Sequence, residues 1–227
     1  MRPDTVMIFA AGFGTRMGGL VEAVPKPLLQ VAGRTLLDRT IDLAASAGVS
    51  RHVVNAHYLA DKIVEHLAGR DITVTVERPE ILDTGGGLKA ALPELRAETV
   101  FTANSDMIWG GPNPYASLPA LGDDTDACLL VIPSERAIGR KGPGDFTLGA
   151  DGRISRGGAH VYTGLQVIRT RRVAEMADRV FSLNAVWDRL IAEDRLGAVE
   201  YPGRWVDVGR PVGLALAETV LAEAGDA

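Results

Sequence analysis

The fold is decided by the stretch VMIFAAGFGTRMGG at residues 6–19, which is followed by Pro25-Lys26-Pro27. The apolar residues 6–10 predict a strand, and the glycines after it predict a loop whose backbone N–H groups can approach a phosphate chain, because no Cβ stands in the way. A guanidinium, Arg16, lies inside this loop, and the ammonium of Lys26 follows ten residues later between two prolines. Two positive charges beside a loop of free amides suit a triphosphate.

Other glycine-loop patterns do not fit the spacing. The dinucleotide fingerprint requires a glycine where the chain has Met17, and an acidic residue at the end of the second strand, where it has Asn55. The phosphate loop of ATPases and GTPases requires Gly-Lys followed by Ser or Thr, a tripeptide that the sequence lacks. An ordinary surface loop would leave Arg16 and the Pro-Lys-Pro clamp unexplained. The stretch is therefore interpreted as a triphosphate-binding loop.

Composition narrows the class of protein. A chain of 227 residues with 46% hydrophobic content can bury one substantial core, so residues 1–227 are expected to form a single domain. The formal charge of −5 argues against a general polyanion binder and hence against a nucleic-acid partner. The single cysteine, Cys128, excludes an intramolecular disulfide. Without a signal-peptide pattern or an apolar run of ~18 residues, we expect a cytoplasmic protein with no membrane contact.

Alternating strands and helices are predicted for the first half of the chain. The clearest helix spans residues 36–47, because Thr35 is a suitable N-cap, Asp38 follows three residues later, and Gly48 takes the position after the C-cap. The other predicted elements are strands at 6–10, 53–54, 73–76 and 100–103 and helices at 60–67 and 86–95. This order predicts an α/β fold, with a mostly parallel twisted sheet, helices on both faces and ligands at the carboxyl edge of the strands.

The second half has a less regular pattern. The predicted elements are strands at 127–132, 146–148, 154–156, 161–168 and 198–201 and helices at 173–176, 184–193 and 211–223. Asp151-Gly152 is a good hairpin turn, so the strands around it are expected to form a small antiparallel flap. The polar, glycine-bearing residues 133–144 predict a flexible loop over the site.

The opening motifs, Ala10 to Met17 and Pro25 to Leu28, resemble the signature of the sugar-1-phosphate nucleotidyltransferases, the NDP-sugar pyrophosphorylases. Four further motifs are similar to the branch of N-acetylmuramate α-1-phosphate uridylyltransferases of bacterial cell-wall recycling; they lie at residues 82–87, 104–106, 144–146 and 205–209. The resemblance implies a Rossmann-like, GT-A-like fold with a nucleotide-binding half (1–110), a sugar-binding half (111–227) and the flap on the sugar side. It also implies transfer of a nucleotidyl group from UTP to the sugar 1-phosphate, with release of pyrophosphate.

Two aspartates are candidates for a metal site. Asp106 follows an apolar strand and Asp207 lies in the motif Trp205-Val206-Asp207-Val208-Gly209, so both carboxylates can meet at one sheet edge. Mg²⁺ is typically bound by one or two carboxylates together with phosphate oxygens. The resemblance implies that Asp106 and Asp207 bind the catalytic Mg²⁺.

Electrostatic catalysis is expected at this site. The attacking phosphate, with a second pKa of about 6, is largely ionised at neutral pH, so the reaction requires no general base. Arg16 is expected to hold the β- and γ-phosphates, because its planar fork can grip oxygens in pairs. Lys26 is expected to bridge the α-phosphate and the sugar phosphate. Arg16, Lys26 and Asp106 are therefore the predicted catalytic residues.

The resemblance also implies two sets of binding residues. For the nucleotide they are Ala10, Ala11, Gly12, Gly14, Thr15, Arg16, Lys26, Glu80, Leu82, Thr84 and Gly85. For the sugar they are Asn104, Gly144, Asp145, Thr163 and Gly164. A plainer interpretation stays open for some of them: Thr84 and the glycines after it can serve helix capping and close packing alone, and Asp145 can be a solvated strand end. The chain lacks the Glu-Lys-Pro motif of hexose-transferring relatives, so Lys26, Arg156 and Arg204 all remain candidates for gripping the sugar phosphate.

Several alternatives remain. Within the enzyme class, guanylyl or thymidylyl transfer to mannose or glucose 1-phosphate is the main one. Two further alternatives are a nucleotide-sugar-binding regulator without catalysis and a dinucleotide oxidoreductase. The regulator is disfavoured by the joint presence of Arg16, Lys26, Asp106 and Asp207. The expected partners are a nucleoside triphosphate and a sugar 1-phosphate, and the expected state is a monomer or small homo-oligomer. No hexapeptide-repeat region follows the last predicted helix, so no acetyltransferase activity is expected.

Overall fold

The computed structural model of the chain describes residues 2–225. Within this range the strands are β1 Thr5–Phe9, β2 Gln30–Val31, β3 Arg34–Thr35, β4 Arg51–Ala56, β5 Thr73–Val76, β6 Thr99–Asn104, β7 Met107–Gly110, β8 Ala127–Pro133, β9 Ala137–Ile138, β10 Phe146–Leu148, β11 Ile154–Arg156, β12 His160–Arg169, β13 Leu196–Glu200 and β14 Arg204–Asp207. The helices are α1 Leu36–Ser46, α2 Ala60–Leu67, α3 Asp83–Leu95, α4 Pro114–Ser117, α5 Thr170–Ala174, α6 Leu183–Ala192 and α7 Val212–Ala224. The assignment of residues 1–227 to one domain stays a prediction, and Met1, Asp226 and Ala227 lie outside the described residues.

The main sheet has the strand order β11-β10-β12-β6-β1-β4-β5, and β8 and β13 extend it from β12. Strands β6, β1, β4 and β5 are parallel to one another, whereas β12 runs antiparallel to β6. The flap is a hairpin of β10 and β11, in which Phe146 is opposite Arg156. The predicted α/β fold with a mostly parallel sheet is confirmed.

Strand β1 lies between two hydrophobic cores because its side chains alternate between the faces of the sheet. Val6 and Ile8 contribute to the core that packs under α1 and α2, and Met7 to the core under α3 and α6. All three side chains are fully buried. Helices therefore cover both faces, as the order of elements predicted.

Helix α1 shows how local sequence signals set an element's limits. Thr35 Oγ1 accepts a hydrogen bond of 3.0 Å from the Asp38 N–H, which satisfies one of the free donors at the helix start. Gly48, two residues beyond the last helical residue, has a φ of +84°, a conformation that glycine adopts without strain. The predicted N-cap is confirmed, and the helix ends one residue before the predicted position 47.

A second, smaller sheet of order β7-β14-β9 lies beside the main one. Strand β7 follows β6 after a two-residue turn and pairs antiparallel with β14, so that Met107 is opposite Asp207. Helix α7 packs on this sheet through Val220 and Leu221, which are buried with Val206. The sequence pattern did not predict β7, β9 or β14 as strands, although this sheet positions both predicted metal ligands.

Helix α3 begins at Asp83, three residues before the predicted start at residue 86. Its glycines allow close packing: a Cβ on Gly85 would lie 2.3 Å from the Phe181 ring, and one on Gly87 would lie 2.6 Å from Glu77 Oε1. Tertiary contacts therefore override the helix-breaking tendency of a glycine run. In the described part of the chain, no helix combines the length and the apolar character needed to cross a membrane.

Candidate active site

A cavity of about 310 Å³ opens at the carboxyl ends of β1, β4 and β6. We call it the first cavity. It is lined by Phe9, Ala10, Ala11, Gly12, Gly14, Thr15, Arg16, Lys26, Pro27, Asn55, Glu77, Ile81, Asp83, Thr84, Asn104, Ser105, Asp106 and Gly209. The glycine loop, the Pro-Lys-Pro clamp and the start of α3 thus converge on one space, at the sheet edge where open α/β sheets bind ligands.

The glycine loop and the clamp are fitted to each other. Gly14 has a φ of +64° and begins a 3₁₀ turn at Thr15. A Cβ on Gly14 would lie 3.0 Å from the Cβ of Lys26, so glycine satisfies both the backbone conformation and the close approach. Lys26 is only 8% exposed and its Nζ pairs with Asp106. The loop therefore holds the ammonium against the carboxylate at the floor of the cavity.

A pair of buried polar side chains, Asn55 and Glu77, supports what we call the outer wall of the first cavity. Asn55 accepts a hydrogen bond of 2.8 Å from the Ala10 N–H and donates one of 2.6 Å to Glu77 Oε1. The second oxygen of Glu77 accepts a hydrogen bond of 2.7 Å from the Leu82 N–H. These bonds fix the ends of β1 and the segment before α3 relative to each other, so the width of the cavity is set by side chains that are themselves buried.

A second cavity, of about 330 Å³, lies on the side of the flap. It is lined by Phe9, Arg16, Asp83, Thr84, Asn104, Asp106, Met107, Arg140, Asp145, Phe146, Arg156, Tyr162, Ser182, Leu183, Asn184, Trp187, Trp205 and Asp207. Five of these side chains are aromatic, and three are arginines. Such a wall suits a substrate that has an apolar ring face and more than one anionic group.

The two cavities share one wall. Arg16, Asn104 and Asp106 line both, as do Phe9, Asp83 and Thr84. Two anionic ligands, one in each cavity, would therefore meet at a guanidinium and a carboxylate. Such an arrangement can hold two reactants next to each other.

The carboxylates of Asp106 and Asp207 come together through the pairing of β7 with β14. The Val208 N–H donates a hydrogen bond of 3.1 Å to the Asp106 carbonyl, which locks the two segments in register. Burial raises the pKa of Asp207, and the negative charge of Asp106 raises it further. The Oδ1 of Asp207 is buried and has no hydrogen-bond partner among residues 2–225. A buried carboxylate oxygen without a partner, beside a second carboxylate, fits a divalent cation such as Mg²⁺.

Gly209 lies where Asp207 and Arg16 approach each other. A Cβ at this position would be 2.7 Å from Asp207 Oδ1 and 3.1 Å from Arg16 Nη2. Glycine thus leaves room for the carboxylate and the guanidinium on the same side of the backbone. In the described part of the chain, no group of three or more His, Cys, Asp or Glu side chains is arranged to hold a metal ion, so any metal here would rely on the aspartate pair and on ligand oxygens.

Most of the predicted site residues line one of the cavities. In the first cavity these are Ala10, Ala11, Gly12, Gly14, Thr15, Arg16, Lys26, Thr84 and Asp106, and in the second they include Asn104, Asp145 and Asp207. Thr84 has a further contact, because its Oγ1 accepts a hydrogen bond of 3.0 Å from the Leu183 N–H at the start of α6.

The remaining predicted residues, all within the described range, lie outside both cavities; they are Glu80, Leu82, Gly85, Gly144, Thr163 and Gly164. Glu80 pairs with Arg179 at the surface. Thr163 is fully buried and donates a hydrogen bond of 2.7 Å to the Leu130 carbonyl. Gly164 has a φ of +89° and lies against the side chain of Asn104, so in this structure it shapes the position of a cavity residue.

Several cavity residues were missing from the sequence-based set. Asn55 ends the second parallel strand, and the rule that ligands bind at strand ends applied to it as well as to Asp106. Glu77, Tyr162 and Trp187 have no comparable local signal. Arg140 lies in the segment predicted as a flexible loop. Of the three candidates for the sugar phosphate, Lys26 lines the first cavity and Arg156 the second, whereas Arg204 pairs with Glu223 outside both.

Comparison with known proteins agrees with this geometry. The chain is similar to the N-acetylmuramate alpha-1-phosphate uridylyltransferase of Caulobacter vibrioides, at 37% identity with 98% of each chain covered, and to the enzyme of the same name from Neisseria meningitidis serogroup B, at 27% identity over 89% of this chain and 92% of that one. The inositol-1-phosphate CTP transferase from T. maritima has the same fold, with a TM-score of 0.80 at 17% identity over 97% of both chains. The profile of the MobA-like NTP transferase domain matches residues 6–212. The predicted enzyme class, a nucleotidyltransferase, is confirmed, and the chain belongs to the MobA-like NTP transferase domain family.

Proposed function

We propose that the protein transfers a uridylyl group from UTP to N-acetylmuramate α-1-phosphate, forming the UDP-sugar and pyrophosphate. The observation that carries this proposal is the shared wall of the two cavities, at which Arg16 and Asp106 face both. The names of the two uridylyltransferase relatives supply the choice of sugar and base. The resemblance further implies a role in peptidoglycan recycling. A cytoplasmic location and a monomeric or small homo-oligomeric state stay predictions.

In the proposed reaction, the triphosphate lies in the first cavity along the glycine loop. Arg16 binds the β- and γ-phosphates, and Lys26 stabilises the charge that develops at the α-phosphate. The sugar phosphate enters from the second cavity and attacks the α-phosphorus in line with the departing pyrophosphate. Because this nucleophile is already ionised at neutral pH, the side chains contribute by positioning and by charge neutralisation and do not need to remove a proton.

Asp106 and Asp207 would hold the Mg²⁺ that the family resemblance implies. The buried, unpartnered Oδ1 of Asp207 and the adjacent carboxylate of Asp106 fit this ion. When bound, Mg²⁺ would supply positive charge to the phosphate oxygens. Asp106 would then be shared between the ion and Lys26, with which it pairs in this structure.

Base recognition is proposed at the outer wall of the first cavity. The Asn55–Glu77 pair lines this wall and anchors the Leu82 N–H. These groups are held in place by their mutual hydrogen bonds. The choice of a pyrimidine, and hence of UTP over GTP, follows the names of the two uridylyltransferase relatives.

The second cavity supports an acidic sugar. The guanidinium of Arg156 lies over the Phe146 ring at 4.9 Å and is 5.7 Å from the Trp187 ring. Its Nε donates a hydrogen bond of 2.7 Å to Asp188, which holds it at the cavity wall. A guanidinium at this place suits the carboxylate that N-acetylmuramate has and that glucose and mannose lack.

The test is a matrix of nucleoside triphosphates against sugar 1-phosphates, with and without Mg²⁺, measured as pyrophosphate release. We expect the highest kcat/KM for UTP with N-acetylmuramate α-1-phosphate. An Arg156→Ala variant should raise KM for this sugar by about 10-fold while leaving N-acetylglucosamine 1-phosphate unaffected. A higher kcat/KM for GTP with mannose 1-phosphate, or for dTTP with glucose 1-phosphate, would overturn the choice of substrates but keep the enzyme class.

A further inference from the structure

A second arginine of the second cavity, Arg140, lies next to the proposed metal ligands. It follows β9, which runs parallel to β14 so that Ile138 is opposite Val206. A Cβ on Gly139 would lie 2.7 Å from the Asp207 carbonyl oxygen, so the two backbones are in close contact just before Arg140. The small sheet therefore brings a guanidinium to the end of the cavity where Asp207 lies.

Arg140 is held in a defined orientation. Its Nη2 donates a hydrogen bond of 2.5 Å to Asp145 Oδ1, and the other oxygen of Asp145 accepts one of 3.0 Å from the Tyr162 N–H. Both oxygens of Asp145 are thus engaged with the protein. In this structure the carboxylate serves to position Arg140, in addition to lining the cavity.

The Nε of Arg140 is buried and has no hydrogen-bond partner among the described residues. A buried donor without an acceptor is costly, and such groups usually mark a place where a ligand or water completes the bond. A guanidinium has five N–H donors in a fixed fork that matches phosphate oxygens. Arg140 therefore has the donors and the orientation for an anion at this end of the cavity.

The other three cations that line the two cavities have a protein partner or an assigned ligand, and Arg16 is the one proposed above to bind the β- and γ-phosphates of UTP. Arg156 donates to Asp188 and to the Asn184 carbonyl and lies over Phe146. Lys26 pairs with Asp106 from the side of the first cavity. Arg140 is the cation beside Asp207 that has a buried donor still to satisfy.

We propose that Arg140 binds the phosphate of the sugar 1-phosphate, with its Nε–H donating to a phosphate oxygen while Asp145 positions the guanidinium. This inference rests on the proposed function, since it names the group that binds one of its substrates. Its physical role is to offset the repulsion between two phosphorylated reactants that must approach within bonding distance. The segment 133–144, expected from the sequence to be a flexible loop, thereby contributes a substrate-binding residue.

The experiment compares Arg140→Ala and Arg140→Lys with Lys141→Ala, a matched control that removes the neighbouring exposed charge, which does not line the cavity. For Arg140→Ala we expect KM for the sugar 1-phosphate to rise about 10- to 100-fold, with little change in KM for UTP. Lysine keeps the charge and loses the fork, so Arg140→Lys should show a smaller rise. Lys141→Ala should behave as wild type. Equal KM values for the sugar 1-phosphate in Arg140→Ala and wild type would overturn the proposal.

Calorimetric binding without nucleotide separates this inference from the proposed function. Wild type should bind N-acetylmuramate α-1-phosphate more tightly than unphosphorylated N-acetylmuramate, and Arg140→Ala should lose most of that difference. If the alanine variant does not fold, Arg140→Lys should lose part of it, because lysine keeps the charge without the fork. If the substitution lowered the affinity for both ligands by the same factor, Arg140 would contact the sugar or its carboxylate and not the phosphate, and the proposal would be overturned. If wild type shows no turnover with any substrate pair, the proposed function fails, while the binding comparison still decides the role of Arg140.

Discussion

Substitution of Gly209 by alanine tests whether Asp207 and Arg16 act at one site. The added Cβ would lie 2.7 Å from Asp207 Oδ1 and 3.1 Å from Arg16 Nη2. Non-bonded heavy atoms prefer a separation of about 3.5 Å, so these groups must retreat by about 0.4–0.8 Å. A misplacement of about 1 Å at a reacting centre can cost about 100-fold in rate, so we expect kcat to fall roughly 10- to 100-fold.

Stability should respond differently from activity. The backbone of Gly209 is outside the left-handed region, and the atoms that the Cβ meets are ends of side chains. Alanine there restricts the unfolded chain, which by itself favours folding by about 0.4–1 kcal/mol. We therefore expect a Tm close to that of wild type, measured by thermal unfolding alongside pyrophosphate release.

Gly197→Ala is the matched control, because Gly197 lies in β13 outside both cavities and a Cβ there would have its nearest contact, the Gly152 carbonyl oxygen, at 3.5 Å. This variant should keep wild-type kcat. If Gly209→Ala also turned over at the wild-type rate, Asp207 and Arg16 would not both be required in their observed positions, and the convergence of charges at the shared wall would be refuted.

Three further predictions concern single side chains. Asp106→Ala should lower kcat by about 10²-fold or more with the fold intact, because it removes a proposed metal ligand and the partner of Lys26. A near-normal rate would remove Asp106 from the proposed metal site. Glu77→Gln should lower the free energy of unfolding by about 1–3 kcal/mol, or Tm by roughly 3–10 °C, because an amide group replaces an oxygen that accepts a buried hydrogen bond. The control Glu80→Gln, at the surface, should leave Tm unchanged. Equal Tm values for both variants would contradict the role of Glu77 in fixing the cavity wall. Asp126 is fully buried, and its burial raises the pKa of the carboxyl group. Hydrogen bonds from Arg195 and Arg171 together lower this pKa by more, so the net pKa of Asp126 lies below its ordinary value. The contribution of the Asp126 carboxylate to stability should be present above the unfolded-state pKa of about 3.9 and be lost as pH falls through the folded-state pKa. Urea titrations should therefore show that the free energy of unfolding of Asp126→Asn falls less on acidification than that of wild type. Identical pH profiles of the free energy of unfolding for the two proteins would refute this.

Elements with local signals were predictable from the sequence. Thr35 caps the backbone three residues ahead of it, so the start of α1 depends on residues that are adjacent in the chain. The hairpin of β10 and β11 turns at Asp151-Gly152, and both strands have the predicted limits. The convergence of the glycine loop and Asp106 could also be predicted, because the carboxyl ends of parallel strands lie at the same edge of the sheet, where ligands bind.

The small sheet was not predictable in the same way. Strands β7 and β14 have four residues each and, unlike β10 and β11, are not joined by a local turn, so each becomes a strand only through its pairing with a segment from the other half of the chain. Arg140 and Glu77 were missed for a related reason, since their roles depend on hydrogen bonds with Asp145 and Asn55 that the local sequence around Arg140 and Glu77 does not indicate. Gly85 was interpreted as open backbone for a nucleotide, which stays a prediction; in the fold it also makes room for Phe181, as the close-packing alternative expected.

The pairing of β7 with β14 also affects the order in which the enzyme matures during synthesis. The parallel core of β1, β4, β5 and β6 comes from the first part of the chain and can assemble early, whereas Asp207 joins Asp106 only after the last strand has been made. Contacts between segments that are far apart in sequence form late, because the loop between them must first close. A nascent chain can therefore form the glycine loop before it has both carboxylates in place, and the proposed metal site is among the last features of the fold to be completed.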